Sequence, residues 1–351
     1  VDPFTSVAAP RTPSLESMAA RGTSFTNFHV AAPICTPSRA AILTGLNPWR
    51  LGIDRVYGGS TPLRHHFLAR VPTLPAAMRD AGFYTAHVGK WHLGGLEPET
   101  VLARRARGNC SRPGPQQHGF DEYVAMEEGT TSLRFKKLLK TSTLYRSGSH
   151  HLIRNDEPLA PTDEWLTARQ GSEAVRILRE AAAAGRRLFL QVWFDAPHTP
   201  LEAIEPFDEA YRGAFEQLGR VKYASMVASM DHAIGRILAE LAALGLEEDT
   251  LVLFTSDNGP ANGSPGPFRG AKLQVLEGGI RVPLIAQWPR ALGANTSSHE
   301  YAASTDLFPT LAQLVGAPSP RFLDGASLAG SLLPPGRDGG AARPRRRRAR
   351  R

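Results

Sequence analysis

The sequence is poor in cysteine and contains no long uninterrupted apolar segment. Only Cys35 and Cys110 occur in its 351 residues, which excludes a disulfide framework and a structural zinc site built from cysteines. No segment approaches the roughly 18 consecutive apolar residues of a membrane-spanning helix. The first residues, "VDPFTSVAAPRTPSLESMAARG", lack the apolar core of a secretory signal. The residues alone therefore indicate no compartment and no membrane span.

Charge is nearly balanced outside one terminal segment. The formal net charge is +8, but the last nine residues, "RPRRRRARR", contain seven arginines. We expect residues 336–351 to form a disordered arginine-rich tail, because this composition buries no apolar surface. Residues 1–335 are long enough for one large domain. The tail permits nonspecific, salt-dependent nucleic-acid binding, but no module for specific nucleic-acid recognition is present.

Amphipathic segments alternate with continuous apolar segments along the chain. Helical spacing and capping residues predict helices over 12–22, 73–82, 164–185, 221–244 and 305–316. Apolar runs predict strands over 84–88, 187–194, 250–255 and 280–289. The run at 187–194 is typical of a strand that is buried on both faces. The alternation predicts an α/β fold with a large, mostly parallel sheet that is sandwiched by helices.

Polar clusters directly follow three of the predicted strands. They are "GKWH" after 84–88, "DAPHTP" after 187–194 and "SDNG" after 250–255. The carboxyl ends of parallel strands meet at one edge of a sheet, and ligand sites form there. We therefore expect these three clusters to contribute to one site.

The segment "PICTPSRAAILTG" places a cysteine beside a predicted helix that ends at Gly45. Thr36 is a suitable N-cap and Pro37 a suitable first residue. Cys35 would then lie just outside the helix N-terminus, where backbone N–H groups favour an anion, and Arg39 follows one turn later. From these residues alone, Cys35 is a buried free cysteine, a thiolate nucleophile or a modified residue.

The pattern C-x-P-x-R, formed by Cys35, Pro37 and Arg39 and extended by "AAILTG", resembles the signature of the sulfatase family. Other similar segments follow in the family's order, among them "GFYTAHVGKWHLG", "APHTPLEA", "VLFTSDNG" and "FRGAKLQVLEGGIRVPLIAQWP". The resemblance covers roughly residues 10–330. It implies an alkaline-phosphatase-like fold and the hydrolysis of sulfate esters.

The resemblance also implies a covalent mechanism. In this family the cysteine is oxidised to formylglycine, an aldehyde, by a formylglycine-generating enzyme. One hydroxyl of the hydrated aldehyde attacks sulfur and displaces the alcohol, and loss of the other hydroxyl proton then eliminates sulfate. The partners implied for this chain are a sulfate ester and that maturation enzyme.

Roles for individual residues follow from the same resemblance. It implies that Lys90, Lys272 and His198 bind the sulfate, and that His198 protonates the leaving oxygen. It implies that Arg39 holds the diol and that His92 is the base for elimination. A Ca²⁺ ion, with Mg²⁺ as the alternative, would be bound by the formylglycine at 35, Asp257 and Asn258. Without the resemblance, "SDNG" is a turn sequence and the lysines and histidines are loop or surface residues.

Two parts of the family pattern are not found in this sequence. The family's first strand precedes "TPSL" by about twenty residues and ends in a metal-binding Asp-Asp pair, whereas here "VDPF" contains the single Asp2. The segment after "DGASLAGSLL" does not resemble the family's C-terminal subdomain. We therefore expect a sheet without its first strand, no C-terminal subdomain and an incomplete metal site.

Other functions remain open at this stage. The chain could be an inactive or truncated homologue that acts as a binding protein, or a related phosphoryl-transfer enzyme. The latter place Ser or Thr at the position of Cys35, and here Thr36 is out of register. The substrate is open among aryl sulfates, sulfated sugars and glycosaminoglycan end groups. The resemblance suggests a secretory, lysosomal or periplasmic location.

Overall fold

The computed structural model describes residues 10–56, 71–96, 101, 113–126, 152–160 and 162–333. The predicted tail, Cys110, Asp2 and much of the segment between 96 and 162 lie outside these residues. Within the described ranges, no helix is long and apolar enough to cross a membrane.

The described residues form an α/β structure, as predicted. The helices are α1 Pro13–Ala20, α2 Cys35–Thr44, α3 Leu74–Asp80, α4 Leu166–Ala183, α5 Leu218–Ala243, α6 Glu277–Ile280, α7 Leu307–Val315 and α8 Ala329–Leu332. The strands are β1 Thr23–Phe25, β2 Phe28–His29, β3 Tyr84–Gly89, β4 Glu122–Met126, β5 Leu152–Arg154, β6 Glu157–Pro158, β7 Leu188–Trp193, β8 Val252–Thr255, β9 Leu284–Gln287, β10 Thr296–Ser298 and β11 Ala302–Ala303. The long predicted helices agree with α4 and α5 to within a few residues.

In the described residues the strands are arranged in two main sheets. One has the order β6-β5-β4-β3-β7, and the other has the order β10-β1-β9-β8. Strand β3 is parallel to both β4 and β7, whereas β5, β6 and β9 pair antiparallel with their neighbours. The pairing is therefore more mixed than the predicted parallel sheet. One cause of the antiparallel pairing is the turn at Asn155 and Asp156. Their φ angles of 50° and 70° suit a tight hairpin between β5 and β6.

Strands β7 and β8 are the last strands of the two sheets. The predicted packing of 187–194 on both faces is found, since its alternate residues join two different core clusters, but five of the six residues of β7 are only partly buried. In β3, by contrast, every residue after Tyr84 is buried. The physical reason is that β3 has a neighbour on each side, while β7 pairs with β3 alone among the described strands.

Helix α1 is attached to the long helix α5 by a carboxylate. The backbone N–H groups of Ser14 and Leu15 each donate to Asp231 at 2.9 Å. The first N–H groups of a helix have no partner within the helix, so a carboxylate at this position satisfies them and favours the positive end of the helix dipole. This contact fixes α1, and with it the approach to β1.

The core beneath the carboxyl end of β3 contains two buried histidines among aromatic rings. His87 lies 5.3 Å from the ring of Trp91 and 5.4 Å from that of Trp193, and His118 contacts Trp91 at 5.3 Å. Burial and the positive charge of Arg39 lower the pKa of His87 to about 3. Burial lowers the pKa of His118 to about 4. Both rings are therefore neutral at pH 7.

These two histidines predict an acid-sensitive fold. In the unfolded chain they take up protons near pH 6.5, whereas in the folded chain they do not until about pH 3 to 4. The free energy of unfolding should therefore fall as the pH drops from 7 to 4, by up to about 1.4 kcal/mol per pH unit for each histidine. The free energy of unfolding of His118→Gln, measured with urea, should depend less steeply on pH over this range than that of the parent protein. His232→Gln, at an exposed position, should show the same pH dependence as the parent. Equal pH dependence in all three proteins would contradict the assignment.

Candidate active site

Helix α2 begins at Cys35 itself. Its N-cap is Ile34 in extended conformation, and none of the described side chains caps it. The predicted cap is therefore wrong: Thr36 lies inside the helix, and its hydroxyl donates to the carbonyl of His92 at 3.0 Å. This tertiary hydrogen bond takes the hydroxyl away from the helix end. Gly45 ends the helix as predicted, with φ of 66°, and Cys35 lies in the first turn with 1% exposure.

The sulfur atom of Cys35 is surrounded by polar groups from three loops. Lys272 Nζ lies 3.3 Å from Sγ, Lys90 Nζ lies 3.5 Å away, and Asn258 Oδ1 lies 3.5 Å away. Lys90 is only 4% exposed. Two ammonium groups thus converge on one atom at the N-terminus of a helix, an arrangement that favours an anion.

Arg39 holds the surroundings of this position together. Its Nε and Nη2 atoms lie 2.9 and 2.7 Å from Oδ2 of Asp257, and Nη1 donates to the carbonyl of Lys90 at 2.6 Å. Its guanidinium lies 4.6 Å from the centre of the Trp193 ring. Burial opposes ionisation of Asp257, but the charges of Arg39, Lys90 and Lys272 hold the pKa of its carboxyl below the usual value.

Lys90 and His92 lie in the loop that directly follows strand β3, as the position of "GKWH" after 84–88 predicted. Strand β3 ends at Gly89, and His92 has φ of 59°. His92 is buried at 6% exposure and lines the same cavity as Cys35. Burial, with the nearby charge of Arg39, lowers the pKa of Lys90.

His198 lies opposite the two lysines, in the loop that follows β7. Its backbone N–H donates to Asp195 O at 2.9 Å, and its Nδ1 lies 2.8 Å from the carbonyl of Thr199. That carbonyl only accepts, so the neutral ring carries its proton on Nδ1 and exposes a lone pair on Nε2. Burial and the charges of Lys90 and Lys272 lower the pKa of His198 to about 3.

The protonation state of His198 bears on its expected role as an acid. At pH 7 the neutral ring has no proton on Nε2 to give to a leaving oxygen. Negative charge between the lysines would offset their effect and raise the pKa of the imidazole. A bound anion would therefore favour the protonated ring.

The polar network beneath this site includes Asp195, Gln170 and Trp193, which the sequence interpretation missed. Asp195 is 2% exposed and accepts a hydrogen bond from Gln170 Nε2 at 2.6 Å. Its charge favours the protonated form of Lys90. Asp195 could have been found, because it opens the polar segment after β7. Nothing in the sequence marks Gln170, which lies within helix α4.

Close backbone packing positions Lys272. Its N–H donates to the carbonyl of Pro260 at 3.0 Å, and the next residue donates to the carbonyl of Pro33 at 2.8 Å. Gly259 donates to the carbonyl of Gly279 at 2.8 Å, and a Cβ atom at Gly259 would lie 2.0 Å from the carbonyl oxygen of Gly278. Only glycine permits this approach, which brings the Lys272 loop against the start of α2.

The oxygen donors of the site do not by themselves fit a calcium ion. The predicted ligands comprise the residue at 35, one carboxylate from Asp257 and one amide oxygen from Asn258. The carboxylate is already bound by Arg39. No group of three or more His, Cys, Asp or Glu residues suited to a metal occurs in the described part of the chain. Since Ca²⁺ takes six to eight oxygen ligands, we assign no chemical step to a metal.

Comparison with known proteins identifies the family. The sulfatase family model matches residues 5–317. N-acetylgalactosamine-6-sulfatase of Canis lupus familiaris is 33% identical over 350 residues, covering 92% of this chain and 61% of that protein. Arylsulfatase A of Homo sapiens is 32% identical over 348 residues, covering 93% and 64%. The crystal structure of Ps i-CgsB in complex with k-i-k-neocarrahexaose superposes with a TM-score of 0.79 and 26% identity, covering 93% of this chain and 72% of that one.

The chain belongs to the sulfatase family, and its fold is the sulfatase or alkaline-phosphatase-like fold. It spans about 61% of the length of N-acetylgalactosamine-6-sulfatase. The residues singled out by the sequence lie together in the structure: Cys35, Arg39, Lys90, His92, His198, Asp257, Asn258 and Lys272 all line one cavity.

The donor set predicts weak calcium binding by this chain. Calorimetric titration should give a dissociation constant of about 1 mM or weaker, because rigid sites with more carboxylates are needed for tighter binding. Asp257→Asn should change this value little. Micromolar affinity that is lost in Asp257→Asn would show that the chain contains a complete calcium site.

Proposed function

We propose that this chain hydrolyses sulfate esters by means of an aldehyde made from Cys35. The observation that carries the proposal is the convergence of two lysine ammonium groups on the Cys35 sulfur, at 3.3 and 3.5 Å, at the N-terminus of α2. A sulfate ester bears one negative charge on a tetrahedral group. Two cations at the positive end of a helix dipole are a suitable binding site for it.

Formylglycine at position 35 would supply the nucleophile. One hydroxyl of its hydrate would attack sulfur, and the second hydroxyl would lose a proton when sulfate is released. The surroundings of Cys35 suit such a group. An oxygen at the place of Sγ would lie within reach of two donors, Lys90 and Lys272, and of the acceptor oxygen of Asn258. A formylglycine-generating enzyme is the partner that this proposal requires.

The remaining residues have separate roles in the proposal. Lys90 and Lys272 bind the sulfate oxygens and stabilise the charge that develops on them. The bound sulfate raises the pKa of His198, so that Nε2 takes up a proton from water and then gives it to the leaving alcohol oxygen. His92 accepts the proton that is lost when sulfate is eliminated. Arg39 positions Asp257 and the Lys90 loop through its hydrogen bonds.

Calcium stays a prediction that rests on the family resemblance. The described residues that would contact the ion are Asp257 and Asn258, together with the modified residue at 35, and they do not complete its coordination. None of the steps above passes through it. The described residues carry the positive charge that would recognise the sulfate group of the ester.

The first prediction of this proposal concerns the modification. After coexpression with a formylglycine-generating enzyme, peptide mass spectrometry should find the aldehyde at Cys35, because the C-x-P-x-R pattern is intact. Hydrolysis of an aryl sulfate should be abolished in Cys35→Ala and nearly abolished in Cys35→Ser, which lacks the second hydroxyl. Hydrolysis that is unchanged in Cys35→Ala would exclude this route.

A second prediction concerns the sulfate-binding groups. Lys90→Ala, Lys272→Ala and His198→Ala should each lower turnover of an aryl sulfate by about 10²- to 10³-fold, as loss of one oxyanion donor does. The folded state should persist, as judged by circular dichroism. Arg79→Ala, at an exposed position on α3, is the matched control and should keep the parent rate.

Sulfate binding gives an independent measurement of the same groups. The increase in melting temperature on adding sodium sulfate should be smaller in Lys90→Ala and Lys272→Ala than in the parent and in Arg79→Ala. Parent-like turnover and parent-like sulfate stabilisation in either lysine variant would remove that lysine from the site.

A further inference from the structure

The segment directly after Lys272 carries exposed apolar side chains. Seven large apolar residues are exposed in the described part of the chain, and three of them are Leu273, Val275 and Leu276, with exposed fractions of 68%, 78% and 48%. A single exposed leucine needs no explanation, but a group of exposed apolar residues beside a polar site indicates a surface that contacts another molecule. The position of this group next to a sulfate-binding lysine makes the substrate its candidate occupant.

Leu273 also has a backbone conformation that leucine rarely adopts. Its φ angle is 76°, in the left-handed region where a Cβ atom crowds the following carbonyl oxygen. Glycine or asparagine fits such a position at a lower cost in free energy. The N–H group of Leu273 donates to the carbonyl of Pro33 at 2.8 Å, which helps to hold this conformation. The chain thus keeps a leucine where both its backbone and its exposure are unfavourable, and such residues cluster at functional sites.

Leu273 lines the active-site cavity at its exposed side. The residue before it, Lys272, places Nζ 3.3 Å from the Cys35 sulfur. The inner side of the site is closed by buried side chains, because Arg39 and Lys90 are only 5% and 4% exposed. The alcohol group of a sulfate ester held by the two lysines therefore extends toward the exposed side of the cavity, to which Leu273 contributes.

The carboxylates around the cavity already have hydrogen-bond donors. The acidic residues in the described lining are Asp195, Asp249 and Asp257, and each accepts a hydrogen bond from an amide or guanidinium group. A sugar would bring hydroxyl groups against Leu273, and a hydroxyl that leaves water without gaining a partner costs free energy. An apolar ring at the same place loses no hydrogen bond.

We propose that Leu273 selects the alcohol part of the substrate. The ester it favours has an apolar ring as its alcohol, aromatic or alicyclic, which packs on Leu273 while the sulfate lies between Lys90 and Lys272. This inference rests on the proposed function, since it requires sulfate to bind between the two lysines. The contact with leucine favours such an ester over one with a small or polar alcohol in proportion to the apolar area that leaves water.

Calorimetric binding to the full chain with Cys35 unconverted tests this inference apart from catalysis. The probes are naphthyl sulfate, methyl sulfate and a glucose sulfate, which carry the same charge on different alcohols. The parent should bind the naphthyl ester at least about tenfold more tightly than the other two. Leu273→Asn should reduce this preference by about fivefold, because it removes an apolar contact. Leu273→Met should keep the preference.

The melting temperature separates a binding role of Leu273 from a structural role. Leu273→Asn should raise the melting temperature of the free protein, because asparagine adopts a positive φ more readily than leucine. Leu218→Asn is the matched control for ester binding, since Leu218 has a similar exposure of 64% and lies outside the described cavity lining. It should keep the parent preference. A lower melting temperature in Leu273→Asn, with the preference unchanged, would show that other residues of the chain cover Leu273 and would overturn the inference.

Inorganic sulfate shows whether the proposed function or this inference has failed. If sulfate stabilises the parent and Leu273→Asn equally but the naphthyl ester is not preferred, the sulfate site stands and the inference about Leu273 is wrong. Tighter binding of the glucose sulfate than of the naphthyl ester would likewise overturn it and indicate a sugar substrate. If the parent binds neither sulfate nor any of the esters, the proposed sulfate site is itself wrong, and the inference about Leu273 fails with it.

Discussion

The buried contact between Arg39 and Asp257 joins the parts from which this site is built. Arg39 belongs to α2, Asp257 follows β8 of one sheet, and the Lys90 carbonyl and the Trp193 ring belong to the other sheet. One guanidinium thus bridges the two sheets where β7 and β8 line the same cavity. Breaking a buried ion pair by removing one partner costs about 3–5 kcal/mol, so this side chain sets both the stability of the site and the relative position of its loops.

The chemistry of the site follows from the excess of positive charge around that contact. Asp257 is held ionised by its cationic neighbours, while burial and the two lysines keep His198 neutral. Such a site is incomplete without an anion, and an anion also changes the protonation of His198. In the proposed reaction, electrostatics would thereby link the binding of the sulfate ester to the availability of an acid.

The sequence predicted the positions of the polar residues around the cavity more accurately than the burial of the strands. The three polar clusters were expected at the ends of strands, and Lys90, His198 and Asp257 do converge from three different strands, since parallel β3 and β7 bring their ends to one edge. The apolar run at 187–194 predicted the packing of β7 on both faces but not its partial exposure, because such a run does not show whether a strand has a neighbour on each side.

By itself the sequence determined the α/β class and the helices with their ends at Gly45 and near Gly185, because periodicity and capping residues are local properties. Its motifs also singled out residues that line one cavity. Only the tertiary structure decided the N-cap of α2, where the hydroxyl of Thr36 bonds to a residue 56 positions away. Tertiary contacts alone likewise make His198 neutral and place Gln170, Asp195 and Trp193 beneath the site. Burial, and charge from residues distant in sequence, set these properties, and no local pattern encodes either.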